Sequence, residues 1–277
     1  MSIRISGFAP YHGELYFSDD IEQLMYGDRH ICVIVPAYNE ESSIGKVLEG
    51  LFGILDPLRG GPLVDQVIVC DNASTDETVT VASRYPCIIV KEPVLGYGAA
   101  CQAALNYSCD KDIVVFVDAD CSVEIAEMPC LLRAIVDGAD LVVGARIPAR
   151  RQSGALSFPQ RFGNGLASFL IRLFWRQSVT DLGPFRAVRW EALQIIDMQD
   201  RKYGWTIEMQ VRAIQEGLKV VEVPVSVLKR IGKSKISGTV SGVVGAGKGI
   251  LGTLFKLLLR EQYQWFLRRT GLRKSAW

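Results

Sequence analysis

Histidine is almost missing. The 277 residues hold two, His12 and His30, both near the start. That all but excludes a His-based zinc site. Cysteine is present, at 32, 70, 87, 101, 109, 121 and 130, but the seven make no CxxC pair. An odd number of thiols, several in apolar runs, reads as reduced core residues rather than a disulfide framework. No stretch reaches the ~18 consecutive apolar residues of a membrane-crossing helix. The first thirty residues carry Glu14, Asp19, Asp20 and Glu22 and lack an apolar core, so no secretory signal is visible and a cytoplasmic location is expected. Compositional bias is absent too: 49% hydrophobic and 22% charged residues exclude a disordered tail, a collagen-like repeat and a disulfide miniprotein. A mean hydropathy of +0.18 keeps contact with a membrane open.

Charge is balanced overall, at +1, but not locally. From Lys229 to Trp277 eleven basic residues face one acid, Glu261, which makes the tail +10 and the rest −9. Such an asymmetry points to a partner carrying phosphate. Nucleic acid is disfavoured, because the body is acidic and shows no aromatic–basic platform.

After an irregular leader (residues 1–30) a rhythm begins. Apolar runs at Ile31–Val35, Val67–Cys70, Cys87–Lys91, Ile113–Val117 and Leu141–Gly144 read as strands. Helical patterns at Glu41–Phe52, Asp76–Arg84, Tyr97–Tyr107 and Ile125–Val136 lie between them. Strands apolar throughout, alternating with amphipathic helices, define an α/β chain with a mostly parallel sheet covered on both faces. Ligands of such sheets sit beyond the carboxyl ends of the strands. The residues to read are therefore Pro36-Ala37-Tyr38-Asn39-Glu40, Cys70-Asp71-Asn72-Ala73-Ser74-Thr75-Asp76, Asp118-Ala119-Asp120 and Gly144-Ala145-Arg146. Asp118-Ala119-Asp120 is the sharpest signal. Two carboxylates one residue apart at the end of a buried strand point in different directions, one toward a sugar or ribose, the other toward a divalent cation. Mg²⁺ and Mn²⁺ prefer oxygen ligands and keep positions open for a diphosphate.

Together these segments resemble the family 2 glycosyltransferases of GT-A fold: Val33–Glu41, Asp71–Asp76 and Asp118–Asp120, with Val143-Gly144-Ala145-Arg146 and Gly232-Lys233-Ser234-Lys235 similar to the dolichol-phosphate mannosyltransferase branch. The resemblance runs over roughly residues 30–238. It implies a nucleotide-sugar donor, a divalent cation (Mg²⁺ or Mn²⁺) and an inverting transfer, in a catalytic domain at 31–236 followed by a basic helical segment at 237–277. It further implies that Pro36, Tyr38 and Glu40 line the nucleoside. Cys70 and Asn72 match positions that contact the base, with Asp71 between them in the same nucleotide-sugar set. Asp118, Ala119 and Asp120 would hold ribose, sugar and metal–diphosphate, with Asp118 and Asp120 as the metal carboxylates. Arg146, Lys229 and Lys235 match basic residues that meet phosphates. Two departures stand out. Asn72 takes a place where the family often has an aspartate; an amide donates as well as accepts, which bears on base selection. Ser122 takes a place where some members set a metal-binding Gln.

Downstream, Glu208 in Tyr203-Gly204-Trp205-Thr206-Ile207-Glu208 occupies a region where many inverting transferases carry a base. The competing reading is a helix-start carboxylate favoured by the macrodipole. A phosphate acceptor is already ionised and needs no base. Trp205 either stacks on an acceptor sugar or packs. Asp181 is expected near the acceptor, as is Arg146. Gly96-Tyr97-Gly98-Ala99-Ala100 lacks the rest of a dinucleotide fingerprint, and Gly242–Gly249 falls short of a P-loop.

The leading reading is sugar transfer from a UDP- or GDP-sugar to an acceptor, such as a polyprenyl phosphate at the cytoplasmic membrane face. The alternatives are a soluble transferase to a hydroxyl acceptor with Glu208 as base, a sugar-phosphate nucleotidyltransferase, and a silent nucleotide-binding module. For the C-terminal segment, Val240, Val243, Val244, Gly247, Leu251, Leu254, Phe255 and Leu258 share a helix face, followed by an aromatic and cationic mix suited to anionic headgroups. A helix lying on a membrane and a helix packed on the catalytic domain both fit.

Overall fold

The computed structural model describes residues 29–56, 60–108, 111–232 and 240–270, with side chains in the last segment at 245, 247–263. Residues 1–28 of the leader, the 236/237 boundary and Lys235 therefore lie outside the described residues.

Seven strands form one sheet in the order β3-β2-β1-β4-β6-β5-β7. They are β1 (Ile31–Ala37), β2 (Gln66–Asp71), β3 (Ile88–Lys91), β4 (Ile113–Phe116), β5 (Leu141–Ala145), β6 (Arg186–Arg189) and β7 (Val220–Pro224). β6 alone runs against its neighbours β4 and β5; the other pairings are parallel. The fold is α/β with the mixed, mostly parallel sheet expected from the sequence.

Every residue of β1 is buried, because both faces of the sheet are covered. Alternation along the strand divides the core. Ile31, Val33 and Val35 meet α1 (Ile44–Gly53) and α4 (Met128–Val136). Cys32 and Ile34 meet α3 (Tyr97–Leu105), α6 (Trp190–Ile196) and α7 (Trp205–Gln215). The helix foreseen at Asp76–Arg84 is only the single turn α2 (Thr78–Ala82). The pattern at Ile125–Val136 begins as a 3-10 turn.

α5 (Phe158–Trp175), α6 and β7 were not foreseen. α5 opens with a capping box, in which Ser157 and Gln160 bond each other's backbone. It has only Ala167 and Ile171 fully buried, so no strong core stripe marks it in sequence. β7 carries Glu222 at its centre, which interrupts the apolar run. α7 is buried on both sides: Trp205, Met209 and Ala213 face the sheet, while Ile207 and Val211 face α5 and α8 (Val240–Thr270). The C-terminal segment is thus one long helix over its described residues, docked through Leu254 and Leu257. Leu254, expected on a membrane face, packs on the domain instead, whereas Phe255 beside it is 47% exposed.

Candidate active site

The six parallel strands end on one edge of the sheet, and reversed β6 begins there. The loop before β6 therefore joins the loops after β1, β2, β4 and β5. The first two are laced together. Asn39, in the left-handed region at φ 54°, accepts from Thr75 N (2.7 Å) and donates its own N–H to Ser74 Oγ. Glu40 N donates to Thr78 Oγ1 and Glu41 N to Asp76.

Asp118 and Asp120 follow β4. Asp118 accepts from Tyr97 Oη at 3.0 Å, across the start of α3. Burial, then the charge of Asp120, push Asp118 up to about 7, against the pull of that hydrogen bond. Burial, then the Asp118 charge, raises the Tyr97 phenol well above its ordinary range, so it stays a donor. Asp120 accepts from Ser122 N through Oδ1 (2.9 Å). Its Oδ2 lies 3.3 Å from Arg230 Nη2, and the same nitrogen is 3.0 Å from Glu40 Oε1. Glu40 Oε2 takes a hydrogen bond from Ser43 Oγ. Segment 226–231 runs over these carboxylates, pinned by Glu124 N to Ser226 O, Leu228 N to Ser122 O and Ile231 N to Asp120 O.

On the other flank, Arg146 closes a two-pronged ion pair with Asp181, Nε to Oδ2 at 2.7 Å and Nη2 to Oδ1 at 2.8 Å, and its backbone N–H adds a third bond. Burial opposes the Arg146 charge, yet Asp181, with Asp118 and Asp120 further off, holds the guanidinium protonated more firmly than usual. The loop bearing Asp181 is held by Glu222, which accepts from Thr180 N, Thr180 Oγ1 and Asp181 N. Asn164 of α5 clasps the same loop through Thr180 O and Leu182 N. Gly183 must be glycine, since a Cβ there would stand 2.5 Å from Gly144 O. Arg186, wholly buried, ties Gly183 O to Thr206 O and Gln210; burial lowers its pKa to about 10.

The structure brings Glu40, Asp118, Ala119, Asp120, Arg146 and Asp181 to one region and holds Asp71 and Asn72 at the end of β2. Asp71 accepts from Ser74 N. Pro36 is buried as the partner of Cys70 in the β1–β2 register. Tyr38 is half-buried after β1. Lys229 is exposed, its side chain passing near Gly154.

Four expectations change. The Cys70 side chain, expected against the base, is sealed: alternation along β2 turns it with Ile68 into the core under α3, and burial pushes its thiol up to about 12. Trp205 has no face for a sugar, being 1% exposed and edge-on to Phe116 at 6.0 Å. Glu208 accepts from Gln199 N (3.0 Å) and Asp200 N (2.6 Å) and pairs with Arg212, so it fastens the loop before α7. Asn72 commits its amide within the protein, donating to Glu92 O and Val94 O while accepting from Gly96 N.

Two residues of the cluster escaped the sequence reading. Tyr97 sits between two glycines that admit the Asp200–Lys202 backbone: a Cβ on Gly98 would lie 2.0 Å from Asp200 O. That approach, rather than a dinucleotide, explains Gly96-Tyr97-Gly98. Arg230 stands next to Lys229, and only the register of its loop tells which of the two basic side chains turns inward.

A mixed, mostly parallel sheet with carboxylates and arginines gathered at its strand ends has the architecture of the GT-A fold. Residues 32–195 match the glycosyl transferase family 2 domain, and the chain belongs to that family, in its dolichol-phosphate mannosyltransferase-like branch. An uncharacterised glycosyltransferase of Mycobacterium tuberculosis H37Rv is 37% identical over 79% of this chain and 95% of its own length. An undecaprenyl-phosphate mannosyltransferase of Micrococcus luteus is 31% identical over 78% of this chain and 89% of its own. A dolichyl-phosphate hexose transferase of Haloferax volcanii is 29% identical over 84% and 95%. Among solved structures, glucosyl-3-phosphoglycerate synthase of M. tuberculosis, in complex with Mn²⁺, UDP-glucose and phosphoglyceric acid, superposes with a TM-score of 0.72 at 22% identity, over 91% of this chain and 88% of that one. The protein is a glycosyltransferase enzyme.

Proposed function

We propose that the enzyme moves a sugar from a nucleoside diphosphate donor to a polyprenyl phosphate at a membrane surface. The observation that carries the choice of acceptor is the commitment of both carboxylates expected beside it. Glu208 is bound to two backbone N–H groups and Arg212; Asp181 is locked to Arg146. Neither is placed to take a proton from a hydroxyl. A phosphate needs no such base at neutral pH. The relatives named for dolichyl-phosphate and undecaprenyl-phosphate transfer support the same reading.

The donor lies across the ends of β1, β2 and β4, with the sugar near Asp118 and the diphosphate beside Asp120. Asp118 and Asp120 offer hard oxygen ligands, which fit Mg²⁺ or Mn²⁺. Among the described residues no cluster of three or more His, Cys, Asp or Glu could enclose a metal, so a cation held by these two aspartates would need further oxygen ligands, which a diphosphate could supply. The cation's part is to offset the negative charge that grows on the departing diphosphate. Arg230 and Lys229 add positive charge to that side. Arg146, held by Asp181 through Nε and Nη2, keeps Nη1 to donate to the acceptor phosphate. An acceptor oxygen attacking the anomeric carbon opposite the departing diphosphate inverts its configuration.

Membrane contact belongs to α5 and α8. Among the described residues no helix is long and apolar enough to cross a membrane. Phe158, Phe162, Phe169 and Leu173 lie along one face of α5, each more than half exposed, and Phe158 and Phe162 stack. On α8, Phe255, Leu259 and Tyr263 are exposed, among Lys256 and Arg260. Aromatic and cationic side chains together suit an anionic bilayer surface.

The test supplies the full chain with labelled UDP- and GDP-sugars, Mg²⁺ or Mn²⁺, and either a polyprenyl phosphate or the matching polyprenol. Product is expected from the phosphate only, with folded Glu208→Gln keeping kcat within about tenfold. Comparable transfer to the alcohol, or a loss above a hundredfold in folded Glu208→Gln, would overturn the assignment.

A further inference from the structure

The DxD carboxylate that a metal must reach already holds a positive group. Asp120 Oδ1 accepts from Ser122 N, and Oδ2 faces Arg230 Nη2 at 3.3 Å. The same nitrogen bonds Glu40 Oε1 at 3.0 Å, so one guanidinium nitrogen bridges two carboxylates, each less than a tenth exposed. The position is built, not incidental. Leu228 N and Ile231 N bond Ser122 O and Asp120 O, which lays Arg230 across the acid it pairs with. Glu40 is held from behind by Ser43 Oγ and through its own N–H by Thr78 Oγ1.

We infer that Arg230 keeps the cation's place in the donor-free enzyme, and so couples entry of the divalent cation to arrival of the nucleotide. This rests on the metal-dependent reading above. A dication on Asp120 Oδ2 would stand a few ångströms from the guanidinium on the same oxygen, two like charges in a partly desolvated site. A cation arriving alone must break the Arg230–Asp120 pair and gives the arginine nothing in return. A diphosphate changes the balance, because its oxygens accept the guanidinium fork. Arg230 is prepared for that exchange: its Nε is buried with no hydrogen-bond acceptor among the described residues. Metal and nucleotide therefore tighten each other's binding, and the coupling is reciprocal.

The measurement is Mn²⁺ binding by the full-length chain, read from the paramagnetic resonance of free Mn²⁺, without nucleotide and with saturating UDP or GDP. Activity is not the readout. Wild-type protein should bind Mn²⁺ alone weakly, and one of the nucleotides should tighten it at least tenfold. Arg230→Ala and the longer Arg230→Gln should bind Mn²⁺ alone about tenfold more tightly than wild type, with the nucleotide effect shrinking toward unity. Arg230→Lys, which keeps the charge, should stay near wild type, and Asp120→Asn should lose Mn²⁺ in both conditions. Two substitutions of different length keep the test open if one fails to fold. If both folded neutral variants bind Mn²⁺ alone no better than wild type, the inference falls while the metal reading stands. If wild type fails to bind Mn²⁺ even with nucleotide, both fall.

Discussion

Asn72 uses both amide hydrogens and an oxygen lone pair to hold Glu92, Val94 and Gly96 in place. A carboxylate has no hydrogens to give, so an aspartate here would leave two carbonyls facing a buried negative charge. Asn72→Asp is expected to cost roughly 2–4 kcal/mol in urea unfolding and to speed amide exchange at Gly96. An unchanged midpoint would mean that the amide's bonds count for little. The same residue marks a limit of legibility. Sequence position placed Asn72 at the edge where ligands bind; the direction of its side chain depends on a loop twenty residues downstream. Cys70 is the same case, decided by strand alternation. Asp118 and Asp120 were readable because a four-residue buried strand leaves nowhere else for two adjacent charges to go than its open end. Arg230 was not, since neighbouring Lys229 has the same sign and only tertiary register separates them.

At the scale of elements, the start of α3 is fixed by contact between two backbones. Gly98 N donates to Lys202 O and Ala99 N to Arg201 O, and both Gly96 and Gly98 touch carbonyl groups of that loop. A methyl at Gly98 meets backbone that cannot swing aside. Gly98→Ala should lose about 3 kcal/mol or more, above the usual cost of overpacking, whereas Gly53→Ala, with open space around it, should be near neutral or stabilising. Thermal unfolding of the two variants side by side checks this; equal melting temperatures would refute the close approach. The first five strands were legible as unbroken apolar runs, their ends shifted by one or two residues. α5 and β7 were not, for opposite reasons: α5 leaves much of its apolar surface uncovered, so its pattern does not report a core, and β7 interrupts its own run with Glu222, which is buried to hold Thr180 and Asp181.

For the whole molecule, charge is divided between an acidic body and a basic tail, and the proposed membrane contact draws on the second. The tail's aromatic and cationic residues and the α5 phenylalanines form the membrane-seeking side of the proposal. Co-sedimentation with vesicles containing anionic lipid should be strong at low salt and fall as salt screens the charges, with a remnant from the inserted rings. Replacing Phe158 and Phe162 together by Ser should lower binding about tenfold at both salt levels, with donor binding in solution retained. Vesicle binding untouched by the double substitution would remove α5 from the membrane face. The sequence disclosed the basic tail by charge count alone, but α5 became part of this surface only once its exposed rings were located.

The single reversed strand also sets a timetable. β3, β2, β1 and β4 are neighbours in space and come from the first part of the chain, so they can pair as soon as Phe116 leaves the ribosome. β5 cannot join them then, because β6 must lie between, and β6 is made only after the whole of α5. The half of the sheet that carries Asp118 and Asp120 is therefore complete while the half that carries Asp181 and Arg230 is still being synthesised. Until then β4 presents a bare hydrogen-bonding edge, and the two aspartates have no arginine beside them. A chain that pauses there would offer stray metal ions and foreign strands easier access than the finished fold does.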